Sequence, residues 1–267
     1  MPTGMAHSAK AQPQAVALFV SDLHLQDALP RTTDCFLRFL REHAGSAQRL
    51  YLLGDLFDAW PGDDDLAAPL PRRMAGALAE VAASGVATAW IGGNRDFLVG
   101  QVFAQEARLQ LLQEPHVVEL AGKRLVLLHG DAQCTDDRDY QAFRVQVRDP
   151  AWQQAFLARP LAERKAIVAN LRERSRAAQR DKTCEIMDVN EAAIAAVFEQ
   201  TQAEVMVHGH THRPAVHRVE VAGATRTRIV LPDWDCEQEP ARGGWLALLE
   251  DGSLRRYRTD GSLEDAV

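Results

Sequence analysis

The chain of 267 residues has only four cysteines, Cys35, Cys134, Cys184 and Cys236, and none of them forms a CxxC pair. That spacing excludes a zinc ribbon and offers no disulfide framework, so reduced thiols are expected. No stretch approaches the ~20 consecutive apolar residues that a membrane-spanning helix needs. Basic residues are in deficit, 30 against 37 acidic, for a formal net charge of -7, so bulk electrostatics give no pull toward nucleic acid. No internal repeat is visible. The segment Met1 to Gln14 lacks the apolar run of a signal peptide; it reads as a flexible tail, and a cytoplasmic chain is expected. Hydrophobic residues at 46% and charged residues at 25% then describe an ordinary globular protein and exclude a disordered one. The length suffices for one sizeable core.

Five short apolar runs each end in polar, chemically active residues. Val16–Val20 leads into Ser21-Asp22-Leu23-His24, Leu50–Leu53 into Gly54-Asp55, and Val86–Ile91 into Gly92-Gly93-Asn94-Arg95-Asp96. Leu125–Leu128 leads into His129-Gly130-Asp131, and Val205–Val207 into His208-Gly209-His210-Thr211-His212. Near-continuous apolar runs of this length predict buried strands. Helical patterns over Thr33–His43 and Arg72–Ala83 separate the first three, which gives an α/β fold with mostly parallel strands. Ligands of such sheets sit beyond the carboxyl ends of the strands, where all five polar clusters fall. Downstream, Ala215–Val221, Arg226–Leu231, Trp245–Leu249 and Leu254–Arg258 predict an antiparallel second sheet. A helical segment without strand signal, about 138–202, reads as an insert or cap on a single domain spanning 15–267.

The side chains at the strand ends that can hold a metal are Asp22, His24, Asp55, Asn94, His129, His210 and His212. This mixed oxygen and nitrogen set suits Mn, Fe or Zn better than Ca or Mg. Seven donors exceed what one four- to six-coordinate ion uses and fit two ions sharing a carboxylate. Two metals about 3.5–4 Å apart form a clamp for in-line displacement at phosphorus. Asp22-x-His24 places both side chains on one side of an extended segment. Gly54, Gly93 and Gly209, each just before a candidate ligand, let backbone pass close to the cluster. Taken singly, Asp22-x-His24, Gly54-Asp55 and His129 are more often polar residues on the surface, a turn or a hydrogen-bonded structural residue, and the His208 to His212 cluster is a stronger signal; five in order at strand ends are hard to produce by chance.

Asp22-x-His24, Gly54-Asp55-x-x-Asp58, Gly93-Asn94, His129-Gly130 and Gly209-His210-x-His212 resemble the ordered motifs of the calcineurin-like metallophosphoesterases. The resemblance implies an αββα sandwich with a dinuclear centre. It places Asp22, His24, Asp55 and His212 on the first metal and a bridging Asp55, Asn94, His129 and His210 on the second. His208 is left as structural. Where that superfamily usually has a histidine after the asparagine, this chain has Arg95. An arginine does not donate and regain a proton near neutral pH, but it clamps phosphate. A departing phosphate needs no proton, since its second pKa is about 6. Arg95 therefore favours a diphosphate substrate over a simple monoester; the bland alternative is an Arg95–Asp96 pair.

Three longer blocks narrow the resemblance: Phe57 to Asp65, Gly93 to Leu98, and His129 to Arg144 with Cys134 inside it. With Ile186 to Asn190 and His208 to Ala215, they are similar to the UDP-2,3-diacylglucosamine pyrophosphohydrolase family of lipid A synthesis. The resemblance runs from about Leu18 to Trp245. It implies cleavage of UDP-2,3-diacylglucosamine to UMP and 2,3-diacylglucosamine 1-phosphate, with two Mn²⁺ or other divalent ions. A water-derived hydroxide between the ions would attack the α-phosphorus. Asn94, Arg95 and His210 would carry the catalytic charge stabilisation. Asn94, Arg95, Asp137, Ser175, Gln179, Lys182 and His210 would contact substrate, with Gln179 standing where the family has Asn. Another diphosphate hydrolase of the superfamily, acting for example on dinucleoside polyphosphates, and a non-catalytic scaffold on the same fold are the alternatives. No nucleic acid and no obligate protein partner are inferred.

The segment from Arg138 to Lys182 reverses the charge of the chain. Arg138, Arg144, Arg148, Arg159, Arg164, Lys165, Arg172, Arg174, Arg176, Arg180 and Lys182 oppose Asp139, Asp149, Glu163, Glu173 and Asp181, eleven against five. Trp152, Phe156, Leu157, Leu161, Ile167, Val168 and Leu171 lie between them. One reading is an amphipathic helix pair with a solvated basic face. Given the resemblance, the expectation is a cap whose apolar side receives acyl chains and whose basic side faces an anionic membrane surface. That places the protein peripherally on the cytoplasmic face of the inner membrane. Of the acidic run beside the site, Asp58 is expected to steady a metal-ligating histidine, and Asp63, Asp64 and Asp65 to form a solvated loop. Trp60 reads as pocket lining or core, and Ser21 as a turn residue.

Overall fold

The computed structural model describes residues 14–181 and 188–267, with side chains 174–181 left undescribed. The expected tail up to residue 13, Lys182, Cys184, Ile186 and Met187 lie outside the described residues. Strands β1 (Ala15–Val20), β2 (Arg49–Leu52), β3 (Ala87–Ile91) and β4 (Gln110–Leu112) run parallel, alternating with helices α1 (Pro30–Glu42), α2 (Pro69–Ala83) and α3 (Gln101–Glu106). Next come β5 (His116–Leu120), β6 (Lys123–Leu127), the helices α4 (Arg138–Arg148), α5 (Pro150–Leu157), α6 (Leu161–Asp181) and α7 (Glu191–Thr201), and β7 (Val205–His208). The chain closes with β8 (Ala215–Val221), β9 (Ala224–Val230), β10 (Gly244–Leu249), β11 (Leu254–Arg258) and β12 (Leu263–Ala266).

The strands form two sheets, ordered β12-β11-β10-β1-β2-β3-β4 and β5-β6-β7-β9-β8. Alternation along β1 explains the layering. Ala17 and Phe19 face the second sheet, packing in one apolar cluster with Leu125, Leu127, Val205, Val207 and Ile229. Leu18 and Val20 face the other way, into a cluster with Phe36, Phe39 and Leu40 of α1 and Met74 and Leu78 of α2. The second sheet repeats the scheme: Val126, Leu128 and Met206 pack against Ile194, Val197 and Phe198 of α7. Both faces of the central strands are covered, which is why their sequences run apolar without alternation. The result is the αββα sandwich. Among the described residues, no helix is long and apolar enough to cross a membrane.

The C-terminal strands do not form one antiparallel sheet, as their hairpins suggested. β8 and β9 join the second sheet through β9 beside β7, whereas β10 and β11 extend the first sheet through β10 beside β1. Hairpin turns fix who pairs with a neighbour in sequence, not which sheet the hairpin joins. Gly244–Leu249 is buried on both faces, so it takes an interior place. Four short elements, α3, β4, β5 and β12, had no clear periodicity to betray them.

The acidic run after β2 is not a solvated loop. Asp63 accepts the indole N–H of Trp60 at 3.1 Å and backbone N–H groups of Gly100, Val102 and Phe103 at 2.8, 2.9 and 3.1 Å, fixing the start of α3. Asp64 pairs with Arg164, and Asp65 with Lys165 at 2.5 Å, so the run ties down α6. Arg164 is 2% exposed and also donates to the carbonyls of Pro61 and, at 2.9 Å, of Arg159. Replacing it, as in Arg164→Ala, should cost about 2–3 kcal/mol, since buried carbonyls lose their donor. The urea midpoint reads this; an unchanged midpoint would mean that α6 is held by apolar contact alone.

Candidate metal centre

Asp22 and His24 follow β1, Asp55 follows β2 and Asn94 follows β3, all on the first sheet. His129 follows β6, and His210 and His212 follow β7, on the second. The structure brings all seven together where the carboxyl ends of the two parallel sets meet. Their loops run side by side: Asp22 donates its N–H to Gly54 O at 3.0 Å, His24 to Asp55 O at 2.9 Å, and Gly209 to His129 O at 2.9 Å.

Side-chain atoms crowd accordingly. Ligand atoms of Asp22, His24 and His212 lie within 4.8 Å of one another, and so do those of Asp22, Asp55 and His129. His24 Nε2 stands 3.1 Å from His212 Nε2, and Asp22 Oδ1 3.4 Å from His212 Nε2. Asn94 Oδ1 sits between His129 Nε2 at 2.9 Å and His210 Nδ1 at 3.0 Å. Leu53 O, 2.9 Å from His129 Nδ1, takes the ring proton there and leaves Nε2 as the electron-pair donor.

Three features fit this donor set to cations. Asp22 Oδ1 is buried with no hydrogen bond, whereas Oδ2 accepts from Ser21 Oγ at 2.5 Å and His210 N at 2.9 Å. Five of the seven residues, Asp22, His24, Asp55, His210 and His212, hold φ between 48° and 68°. Left-handed backbone costs a residue with a side chain about 1–2 kcal/mol, and such positions gather at functional sites. Finally, a Cβ on Gly93 would overlap Asp55, one on Gly209 would overlap Asp22 and Ser21, and one on Gly54 would come within 2.5 Å of His129 Nδ1. The close approach expected of these three glycines is what the fold requires.

Supporting carboxylates carried no signal of their own in the sequence. Asp96 is fully buried, and its oxygens accept N–H groups from Gly93 at 2.9 Å and from Asp55 and Phe57 at 3.2 Å. It thus joins the loops after β2 and β3. The Arg95–Asp96 pair weighed above does not form; Arg95 donates its backbone N–H to Asp55 Oδ1 at 2.8 Å and its side chain lines the adjoining cavity. Asp131 accepts from Tyr140 Oη at 2.6 Å and Arg144 Nε at 2.9 Å, and the Tyr140 ring stacks over His210. Asp233 Oδ2 lies 3.6 Å from His212 Nδ1. The ion pair of Asp58 runs to Arg172 on α6, not to a metal-ligating histidine. His208 is buried beside Arg228, and Ser21 only donates to Asp22.

A cavity of about 900 Å³ opens beside the cluster. Its lining combines polar side chains, among them Asn94, Arg95, Asp137, His210 and His212, with apolar ones, Phe97, Leu98, Phe143, Val147, Trp152, Phe156, Val168 and Leu171. Asp137 also caps α4 by accepting Tyr140 N at 3.2 Å. Trp60 combines both roles expected of it, touching the cavity while stacking on buried Phe57. Ser175 and Gln179 fall on α6 among the undescribed side chains, and Lys182 lies beyond the described residues.

A family model described as calcineurin-like phosphoesterase matches residues 16–214. A UDP-2,3-diacylglucosamine hydrolase of Bordetella pertussis is 48% identical over 234 residues, covering 87% of this chain and 91% of the relative. Proteins of that name from Escherichia coli O81 and Stenotrophomonas maltophilia are 50% identical over 220 residues and 49% over 224, covering 82% and 81% of this chain and 91% and 90% of theirs.

The titrations of the metal-free cluster give a test. Burial raises Asp55 to about 7; the Asp96 and Asp22 carboxylates add to this against the pull of His129. Burial lowers His129, but the carboxylates of Asp55, Asp22, Asp131 and Glu114 outweigh it and raise the imidazole to about 9. Near neutral pH this pair holds protons that a cation must displace. Metal affinity should therefore climb with pH across the window from about 7 to about 9. Calorimetric titration with Mn²⁺ in buffers of different ionisation enthalpy should show proton release, and binding with no released protons would contradict these assignments.

Proposed function

The chain belongs to the calcineurin-like phosphoesterases and is a metal-dependent hydrolase of that family, and from this premise we propose that it cleaves the diphosphate of UDP-2,3-diacylglucosamine to UMP and 2,3-diacylglucosamine 1-phosphate, a step of lipid A synthesis. The observation that carries this reading is the form of the cavity. Its lining combines phosphate-handling side chains, Asn94, Arg95 and His210, with apolar ones from Phe97 and the helices α4 to α6. A nucleotide diphosphate bearing two acyl chains needs both kinds of lining. A dinucleoside polyphosphate uses only the polar kind, and a non-catalytic scaffold needs no converging set of seven donors.

The donor chemistry suits two divalent ions, and we assign Mn²⁺. Asp22, His24, Asp55 and His212 would hold one, and Asp55, Asn94, His129 and His210 the other. Bound there, the cations supply the acidity that makes water a nucleophile at neutral pH and a counter-charge for phosphate. The remaining work falls to the chain. Asn94, Arg95 and His210 gather the charge that grows on the α-phosphate. Arg95 fixes that phosphate with planar, permanently charged donors. The lipid phosphate departs as an anion, so the arginine need not pass a proton. Asp137, Ser175, Gln179 and Lys182 are proposed substrate contacts on the cap side of the cavity. Residues 15–267 act as one domain with the helical insert as its cap.

Arg95→Ala should lower kcat by about 10²–10³, as loss of a charge-stabilising donor does, while Mn²⁺ stoichiometry stays at the wild-type value. Release of UMP from UDP-2,3-diacylglucosamine reads the rate. Equal turnover by wild type and variant would refute the role given to Arg95, and faster cleavage of a dinucleoside polyphosphate by the wild type would refute the substrate assignment.

The cap is also proposed to rest on the cytoplasmic face of the inner membrane. Its charge excess is smaller toward solvent than the sequence count suggests. Arg144 pairs with Glu114 at 2.6 Å and Asp131 at 2.9 Å, Arg148 donates to Gly93 O at 2.9 Å, and Arg164, Lys165 and Arg172 hold Asp64, Asp65 and Asp58. Val145 and Leu157 remain exposed on α4 and α5, at 71% and 42%. Insertion of apolar side chains should thus matter beside charge. Val145→Asp should reduce co-sedimentation with anionic vesicles several-fold and leave turnover of detergent-dispersed substrate intact; unchanged sedimentation would remove the cap from the contact.

A further inference from the structure

A second cavity, of about 640 Å³, lies away from the metal centre between α1, α2 and the loop that follows β9. Two of its lining residues are cysteines that the sequence separates widely, Cys35 and Cys236. The fold brings them to the wall of the same cavity, both as free thiols. Backbone geometry holds the juxtaposition. The N–H of Cys236 is donated to Thr32 Oγ1 at 3.0 Å, and Thr32 stands one turn before Cys35 on α1. Cys236 is 2% exposed, whereas Cys35 is half-buried and reaches the cavity.

The cations around the cavity are not equivalent. Arg31 and Arg73 are neutralised by Glu239 and Asp34, each at 3.0 Å. Arg38, one turn after Cys35, instead turns its Nη2 to Cys35 Sγ at 3.6 Å. A guanidinium donor on sulfur gains strength as the sulfur becomes anionic. An accessible thiol beside a cation, with a second thiol behind it, is the arrangement that lets a first oxidation be resolved rather than run on. Cys35, the more exposed of the two, is the thiol a peroxide reaches first, while burial pushes the enclosed Cys236 thiol up to about 12.

We propose that Cys35 and Cys236 form a dithiol that a hydroperoxide oxidises to an intramolecular disulfide, joining α1 to the loop after β9. The Cys35 sulfur gives up its proton and attacks hydrogen peroxide; an S–O bond forms, the O–O bond breaks, and the departing hydroxide takes that proton and leaves as water. Cys236 sulfur then attacks the sulfenic acid; the S–S bond forms, the S–O bond breaks and a second water departs. Two thiols thus reduce one hydrogen peroxide to two waters. The joined loop matters because it supports the metal centre from behind. Trp234 donates its N–H to Asp22 O at 3.0 Å, and Asp233 faces His212. Neither the substrate assignment nor the metal assignment is needed for the thiol chemistry.

The test is a peptide map of the full chain after exposure to hydrogen peroxide, alkylation of the remaining thiols and digestion without reductant. A joined pair of peptides carrying Cys35 and Cys236 is expected, two hydrogens lighter than the reduced pair and separated by dithiothreitol. In Cys236→Ser, Cys35 should stop at the sulfenic acid and be trapped by dimedone. In Cys35→Ser, Cys236 should remain an alkylatable thiol. Recovery of wild-type Cys35 as sulfinic acid beside a free Cys236, or of both thiols unchanged, would overturn the proposal.

Discussion

Two carboxylates, Asp22 and Asp55, are buried with ligand atoms less than 5 Å apart at the seam between two sheets, and the structure around them follows from that constraint. Like charges in a low-dielectric setting repel strongly unless cations stand between them. Imidazoles supply part of the compensation: burial would raise Asp22, but His212, His129 and His24 hold it well below the usual carboxylate range. Asp55 gains less and rises to about 7, so the cluster without cations keeps a proton it would shed on loading. The left-handed backbone at five of the seven donors has the same origin. Two sheets must deliver seven side chains into one small volume, and only tight turns with glycine beside the ligand let the strands end so close together.

The second constraint is the cap. Its basic residues look like a face for anionic partners, yet the inner set is spent on the protein itself. Arg164, Lys165 and Arg172 engage the acidic run after β2, and Arg144 binds Glu114, whose other oxygen accepts His129 N at 2.8 Å. Cap position and ligand position are therefore mechanically linked through Glu114, Arg144 and Asp131. Side chains of these docked helices line the cavity together with Phe97, Leu98 and the candidate donors Asn94, His210 and His212. A substrate filling it would touch the donor cluster and the helical insert at once.

The convergence of the seven candidate donors was legible in the sequence because strand ends leave a local signature: an apolar run that leads into a donor, with a glycine just before Asp55, Asn94 and His210. The parallel half of the fold, in which strands and helices alternate from β1 onward, was legible for the same reason, through runs such as Leu50–Leu53. What stayed hidden depends on partners far along the chain. Nothing local distinguishes Asp64 from a solvated acid until Arg164, 100 residues away, is folded against it. Asp96 reads as one more polar residue, although its carboxylate is what fastens the loops after β2 and β3. Sheet membership of the C-terminal hairpins was likewise a long-range matter, decided by β9 lying on β7 and β10 on β1.

Hydrolysis of UDP-2,3-diacylglucosamine with Mn²⁺ in ¹⁸O-labelled water probes the account at its centre, because the label reports which phosphorus water attacks. Attack at the phosphorus proposed to lie against Asn94, Arg95 and His210 places the heavy oxygen in UMP, and a lipid phosphate free of label is the predicted companion. Heavy oxygen in 2,3-diacylglucosamine 1-phosphate would contradict the assignment of those three residues to the uridine-bearing phosphate.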